Sequence, residues 1–309
     1  MAEQDVEFSV QAEPRDAAGW AELARRSEDA GMRALLVADH PGAGASPFVA
    51  LAAAAAVTST LRLGSYVVNA GIREPVHIAA DVATLDVVSG GRAEVGLGAG
   101  HTPAEWEMIG RSRPTAPGRV RHLLTAASAV RRLLDGQPVP ATEVGALSDL
   151  RLDEPRPVQH HVPLLLGGTS ATMLRWAGGN ADAVGLTGLG ATRADGHRHE
   201  VVWSPEQVDR HVAWVREGAE QAGRPVPTLE ALVQVLAITE ERQDVIAGIA
   251  ADLETPVGRF EDVPYVLVGT QDQILEQLET TRKRWGINRF VVRACAFDTA
   301  TDLLAALGR

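Results

Sequence analysis

Short apolar runs alternate along the chain with longer stretches in which apolar residues return every three or four positions. That rhythm predicts parallel strands joined by helical crossovers, since a buried parallel strand is apolar on both faces while a covering helix needs one apolar stripe. The predicted strands are residues 6–11, 34–39, 61–68, 92–98, 162–167, 182–188, 228–239 and 289–295, eight in all. Between them, Trp20, Leu23, Ser27 and Ala30 share one helix face. So do Leu123, Ala127, Val130 and Leu134, and again Val208, Val212, Val215 and Ala219. Gly31 and Gly286 stand where a helical stretch gives way to the next strand, the place for a left-handed helix cap.

Eight such units without a linker or a repeat predict one (β/α)8 barrel domain, an α/β fold, over residues 1–309. Two connections are long. Residues 135–161 are rich in proline and polar residues, and residues 188–203 follow the sixth strand. Only the second leaves a C-terminal strand end, where such barrels carry their sites, so it is expected to cover a substrate.

Composition narrows the chemistry. Lys283 is the sole lysine and lies in a charged helical stretch, which removes P-loop ATPases, Schiff-base aldolases and pyridoxal enzymes. A net charge of −11 with no basic patch argues against a nucleic-acid partner. Cys295 is the only cysteine, so no internal disulfide is possible. No apolar run is long enough for a membrane span, and MAEQDVEFSV has no leader-like segment, so a cytoplasmic protein is expected. No H-E-x-x-H or G-x-S-x-G occurs, and the one H-x-H, His197 and His199, lies in the long loop; no metal site is expected. His160 and His161 precede the fifth strand and are expected to be solvated.

The strand ends carry the candidate chemistry. Alternation in the first strand sends Gln11, and Glu13 just beyond it, toward the mouth. The second strand ends in Asp39-His40, the third in YVVNAG, the fourth in GLGAGH, the fifth in GGTS, and the eighth in Arg293 and Cys295. A carboxylate, a histidine and glycine-rich turns at one rim suit acid/base work beside an anion pocket. The plainer alternatives are that Asp39-His40 forms a cap and that Glu13 opens the first helix. GLGAG, residues 96–100, lacks the G-x-G-x-x-G spacing and follows the fourth strand, against a dinucleotide fingerprint. Gly167-Gly168 directly after the fifth strand, with Thr169 and Ser170 opening a helix, predicts a phosphate cradle; a tight strand-to-helix turn is the alternative.

The stretches EDAGMRALLVADH (28–40), TSTLRLGSYVVNAGIREPVHIAADVATLDVVSGGRAEVGLGAGHTPAEWEMIG (58–110) and VPLLLGGTSATMLRWAGGNADAVGL (162–186) together resemble the luciferase-like flavin and deazaflavin oxidoreductases. Within that family the chain looks closest to the branch that uses coenzyme F-420, an 8-hydroxy-5-deazaflavin. The resemblance implies that His40, beside Asp39, lies at the reactive carbon of the ring and shuttles a proton. It matches Glu13 to an acid at the end of strand one, and Tyr66-Val67 to a non-proline cis peptide that backs the ring. It matches Gly98 and Gly100 to glycines that let the cofactor approach, and Gly167, Gly168 and Thr169 to a phosphate loop. His101 departs from the pattern, standing where some deazaflavin dehydrogenases have a glutamate. The lysines that sugar-phosphate substrates rely on are also missing.

The resemblance implies hydride transfer between the deazaflavin and a small organic substrate, with His40 as acid/base assisted by Glu13 or His101. The alternatives are an FMN-dependent monooxygenase, a non-catalytic flavin-binding relative, and an unrelated barrel isomerase or hydrolase. FVALAAAAAV, residues 48–57, has no polar side chain on any face, so a second subunit is expected to cover it; members of the family dimerise in this region. The alternative there is that exposed alanines cost little.

Overall fold

The computed structural model describes residues 6–192, 199–201, 203–253 and 262–308. The strands are β1 (Glu7–Gln11), β2 (Ala34–Val37), β3 (Arg62–Ser65), β4 (Val68–Asn69), β5 (Ala93–Gly98), β6 (Leu164–Gly167) and β7 (Ala183–Leu186). They continue with β8 (Leu189–Thr192), β9 (His199–Val201), β10 (Thr228–Leu232), β11 (Val235–Ile238), β12 (Val266–Gly269) and β13 (Ile287–Arg293). The helices are α1 (Ala17–Asp29), α2 (Pro47–Ala55), α3 (Pro75–Ser89), α4 (Pro103–Met108), α5 (Ala116–Leu134) and α6 (Ala141–Val144). Then come α7 (Ala171–Asn180), α8 (Pro205–Gln221), α9 (Arg242–Asp252), α10 (Gln271–Trp285) and α11 (Phe297–Ala306).

The chain divides into two compact units. Residues 12–29 and 34–167 hold β2, β3, β5 and β6 side by side in parallel register, with β4 prolonging the third crossing beside β5. Residues 1–11, 30–33 and 168–309 hold β1, β13, β10 and β7, also parallel. These eight strands are those the apolar runs predict. β2 and β7 are buried at every position, as a strand covered on both faces requires. The expected helix stripes are buried too: Leu123, Ala127, Val130 and Leu134 on α5, and Val208, Val212, Val215 and Ala219 on α8. On α1 the buried set is Trp20, Ala24 and Ser27, with Leu23 only half-buried. Gly286 closes α10 in the left-handed conformation, φ 77°, and Gly31 takes φ 72° beyond α1.

Two stretches differ from expectation. Residues 228–239 form two strands, because the backbone changes partners. Val233 N–H still donates to Val291 of β13, at 2.8 Å, but Gln234 N–H donates to Tyr265 just before β12, also at 2.8 Å. β11 then pairs only with β12, a strand the sequence reading omits. In 188–203, β8 and β9 make an antiparallel pair; residues 193–198 and 202, with His197, lie outside the described residues. His160 and His161 are exposed as expected. Among the described residues no helix is long and apolar enough to cross a membrane, and no group of three or more His, Cys, Asp or Glu could hold a metal ion.

Candidate active site

Asp39 follows β2 and is 2% exposed. Its carboxylate accepts two hydrogen bonds from Arg73, at 2.7 and 2.9 Å, and one from the Asn69 amide at 3.3 Å. This bidentate pair ties the segment before α3 to the end of β2 and leaves Asp39 little capacity for anything else. Next to it, His40 is in hydrogen-bonding contact with α4.

Pro103 at the first helical position starts α4, which places Glu105 in its first turn with the carboxylate inward, 4% exposed. Its Oε1 lies 2.7 Å from His40 Nδ1, and its Oε2 accepts from Asn69 Nδ2 at 2.6 Å. The Asn69 Oδ1 in turn accepts from the Gly71 amide at 2.9 Å. Every polar atom of the Asn69 side chain is thus engaged, and Asn69 bridges the Asp39–Arg73 pair to the Glu105–His40 pair. Gly100, at φ 69°, passes so close that an added Cβ would lie 2.0 Å from Asn69 Oδ1.

The Glu105 hydrogen bond raises the His40 pKa against the opposing effect of burial, helped by the charges of Glu105, Asp39 and Glu13. Burial pushes Glu105 up, but hydrogen bonds from His40, Asn69 and Thr102 outweigh it and hold the carboxyl below its ordinary value. The His101 ring meets the His40 ring edge-on, with centroids 5.6 Å apart. Glu13 is exposed, and its carboxylate lies over Gly44 in the turn that follows His40. His40 therefore stands among Glu105, Asp39, Glu13 and His101, with its own side chain 40% exposed.

The Tyr66-Val67 peptide is cis. Val67 is enclosed by glycines: a Cβ on Gly98 would lie 2.5 Å from its Cγ2, and one on Gly167 3.2 Å from its Cγ1. Gly168 follows, and a Cβ there would meet Met173 Cε at 2.8 Å. Thr169 precedes Ser170, the N-cap of α7, whose hydroxyl accepts from the Met173 amide. The amides of Ala171 and Thr172 have no partner among the described residues, so the first turn of α7 can take an anion.

Asp39, His40, His101, Tyr66, Val67, Gly98, Gly100 and Gly167 thus fall in one compact unit with Glu13. Gly168 and Thr169 belong to the other. The sequence reading missed Glu105, Asn69 and Arg73. A signal existed for Glu105: it follows a Pro that begins a helix and stands four residues after His101, at the strand end where the other candidates cluster. Asn69 lies inside the quoted YVVNAG, but nothing in that run marks its carboxamide as a bridge.

Residues 3–289 match the family model described as luciferase-like monooxygenase. A 5,10-methylenetetrahydromethanopterin reductase of Methanopyrus kandleri is 24% identical over 286 residues, 88% of this chain and 75% of that protein. The structure of the coenzyme F420-dependent tetrahydromethanopterin reductase from Methanopyrus kandleri superposes with a TM-score of 0.76 at 21% identity, covering 97% of each chain. The oxygenating constituent of 3,6-diketocamphane monooxygenase of Pseudomonas putida, in complex with FMN, superposes with a TM-score of 0.73 at 15% identity, again covering 97% of each chain. These superpositions establish the (β/α)8 barrel fold.

Proposed function

Since the chain belongs to the luciferase-like monooxygenase family, we propose that it is a coenzyme F-420-dependent oxidoreductase passing a hydride between the deazaflavin and a small organic substrate. The observation that carries this reading is His40: Nδ1 is held by Glu105, while Nε2 makes no hydrogen bond among the described residues. A half-exposed imidazole with one nitrogen anchored and the other open is suited to move a proton. Supporting the deazaflavin is the likeness in sequence to a methylenetetrahydromethanopterin reductase over 88% of this chain, together with the likeness in fold to an F420-dependent one. Favouring FMN and a monooxygenase is the comparable likeness to an FMN-bound oxygenase.

The residues fit such a group. Within its own unit, Gly168 and Thr169 followed by the open amides of Ala171 and Thr172 would suit an anion such as a phosphate. Val67, Gly98 and Gly100 would back the ring, and Asp39 would fix the loop that presents His40. When bound, the cofactor supplies hydride chemistry that no side chain can. His40 holds or releases the accompanying proton at Nε2. His101 and Glu13 flank it and assist through its charge state.

Titration of the purified protein with F-420 and with FMN, each followed by fluorescence quenching, tests the reading. Tighter binding of F-420 is expected; tight binding of FMN alone overturns it in favour of the monooxygenase. His40→Ala is expected to lower turnover by roughly 100-fold while leaving cofactor affinity within a small factor. Tight F-420 binding with no turnover on any carbonyl or alcohol would instead identify a non-catalytic relative.

We also propose one working barrel domain in a cytoplasmic homodimer. Val49 on α2 is 72% exposed, and Ala53 and Ala56 are exposed on the same face. A second copy would cover this apolar stripe.

A further inference from the structure

Among the described residues, the buried network gives one negative charge no permanent counter-ion. Asp39 is neutralised by Arg73 through two hydrogen bonds. Glu105, equally buried, is surrounded by Asn69, Thr102 and His40, and of these only His40 can be a cation. Burying a carboxylate with no opposite charge costs several kcal/mol, roughly. Two short contacts, 2.7 Å to His40 and 2.6 Å to Asn69, occupy both oxygens. The Asn69 Nδ2 can only donate, so Glu105 is an acceptor toward Asn69. Its remaining oxygen faces Nδ1, where an imidazolium gives a charge-assisted bond.

We propose that Glu105 is a positioning residue that pins Nδ1–H of His40 and stabilises its imidazolium, so that Nε2 is presented as the proton-transferring atom of the site. The proposal rests on the oxidoreductase reading above and adds the residue that sets the tautomer and charge of its acid/base. With the cofactor bound, Nε2–H would give its proton to the group that receives the hydride, leaving His40 neutral, and the reverse transfer would return it. Water restores the proton, which the 40% exposure of the side chain permits.

The charged and titratable groups facing His40 are Glu105 from α4, Asp39 beyond β2, Glu13 beyond β1 and His101 beyond β5. Three are carboxylates. Of these, Asp39 is spent on Arg73 and Glu13 lies in solvent. Glu105 alone is both buried and in contact. His101 presents its ring edge-on to His40, with centroids 5.6 Å apart.

The test is nitrogen-detected NMR of the histidines in cofactor-free protein, with His40 assigned through His40→Gln. In the wild type His40 is expected to show the imidazolium pattern at neutral pH, and on titration to keep its proton on Nδ1. In Glu105→Gln, whose size and hydrogen-bonding reach match the native residue, the midpoint should move to lower pH. Glu105→Asp should restore part of the shift. In steady-state reduction the alkaline limb of the pH profile should move to lower pH in Glu105→Gln, with KM less affected than kcat. A wild-type His40 that is neutral at pH 7 overturns the proposal without any variant. An unchanged midpoint in Glu105→Gln overturns it equally. Because the NMR measurement needs no cofactor, it separates this proposal from the cofactor reading. The expected titration together with no F-420 binding would sink only the cofactor reading.

Discussion

Asp86 and Glu105 lie in the same compact unit, at 0% and 4% exposure, and both are acids that apolar surroundings would expel if unpaired. Asp86, near the end of α3, accepts from the amides of Ala93, Val158 and Gln159 and from the Gln159 side chain, at 2.6–3.2 Å. All four donors are uncharged groups that cannot give up the bonding proton. Glu105 has Asn69 on one oxygen and an imidazole on the other. The first arrangement latches the long 135–161 connection to β5 and has no second state. The second shares a bond with an imidazole that can gain or lose a proton. A buried acid becomes functional here through the partner it is given, not through the depth at which it sits.

The widest separation between the two should appear on truncation. Asp86→Ala leaves three backbone amides without an acceptor, and at about 1–3 kcal/mol each the loss should reach roughly 3–5 kcal/mol. Urea denaturation should show it, while the His40 NMR signals stay where they are. A stable Asp86→Ala protein would remove the latch from the comparison. Glu105→Gln keeps the shape and the Asn69 contact, so stability should fall by only about 1–2 kcal/mol. Turnover should fall by roughly tenfold or more, since a positioned proton donor contributes on that scale. Equal losses in both properties for both variants would erase the distinction.

Proton linkage sharpens it further. His40 has a folded pKa above its ordinary 6.5, so the stability it contributes is full below 6.5 and is lost as pH rises through the raised value. Glu105 has a folded pKa below its ordinary 4.5, so its contribution is full above 4.5 and is lost as pH falls through the lowered value. The pair therefore stabilises most between about 4.5 and 6.5 and fades on both sides. Stability measured against pH in wild type and His40→Gln should differ most in that window. The smallest change in stability is expected for Ala53→Arg on the exposed face of α2, within about 0.5 kcal/mol. Light scattering should nonetheless show a shift from dimer to monomer. Ala54 is fully buried, so an Arg there would unfold α2 and report nothing about assembly.

Much of this was readable in the residues. The alternation of apolar runs and striped stretches marks eight of the parallel strands, because burial on two faces favours apolar residues throughout, but it misses β12. The same runs could not show that Val233–Gln234 changes hydrogen-bond partner, since a strand that switches neighbours has the same apolar residues as one that continues. The strand ends pointed to Asp39-His40 and Gly167, and the resemblance to the luciferase-like family added Tyr66-Val67, Gly98 and Gly100; each lies at or just beyond a strand end. Their roles shifted on inspection of contacts. Asp39 is occupied by Arg73, 34 residues away, and His40 by Glu105, 65 residues away.

What the sequence by itself determined is the set of elements, the absence of lysine-dependent chemistry, and the rim at which titratable side chains gather. These follow from local periodicity and from composition, which need no knowledge of distant neighbours. Only the tertiary structure decided which acid meets which base. Asp39, Glu105, Glu13 and His101 all stand near His40, and nothing in their spacing says that Glu105 takes Nδ1. That choice depends on where α4 starts after β5 and on how closely Gly100 lets Asn69 approach. An interaction that changes sharply over one or two ångströms is settled by packing, and packing is a property of the folded chain.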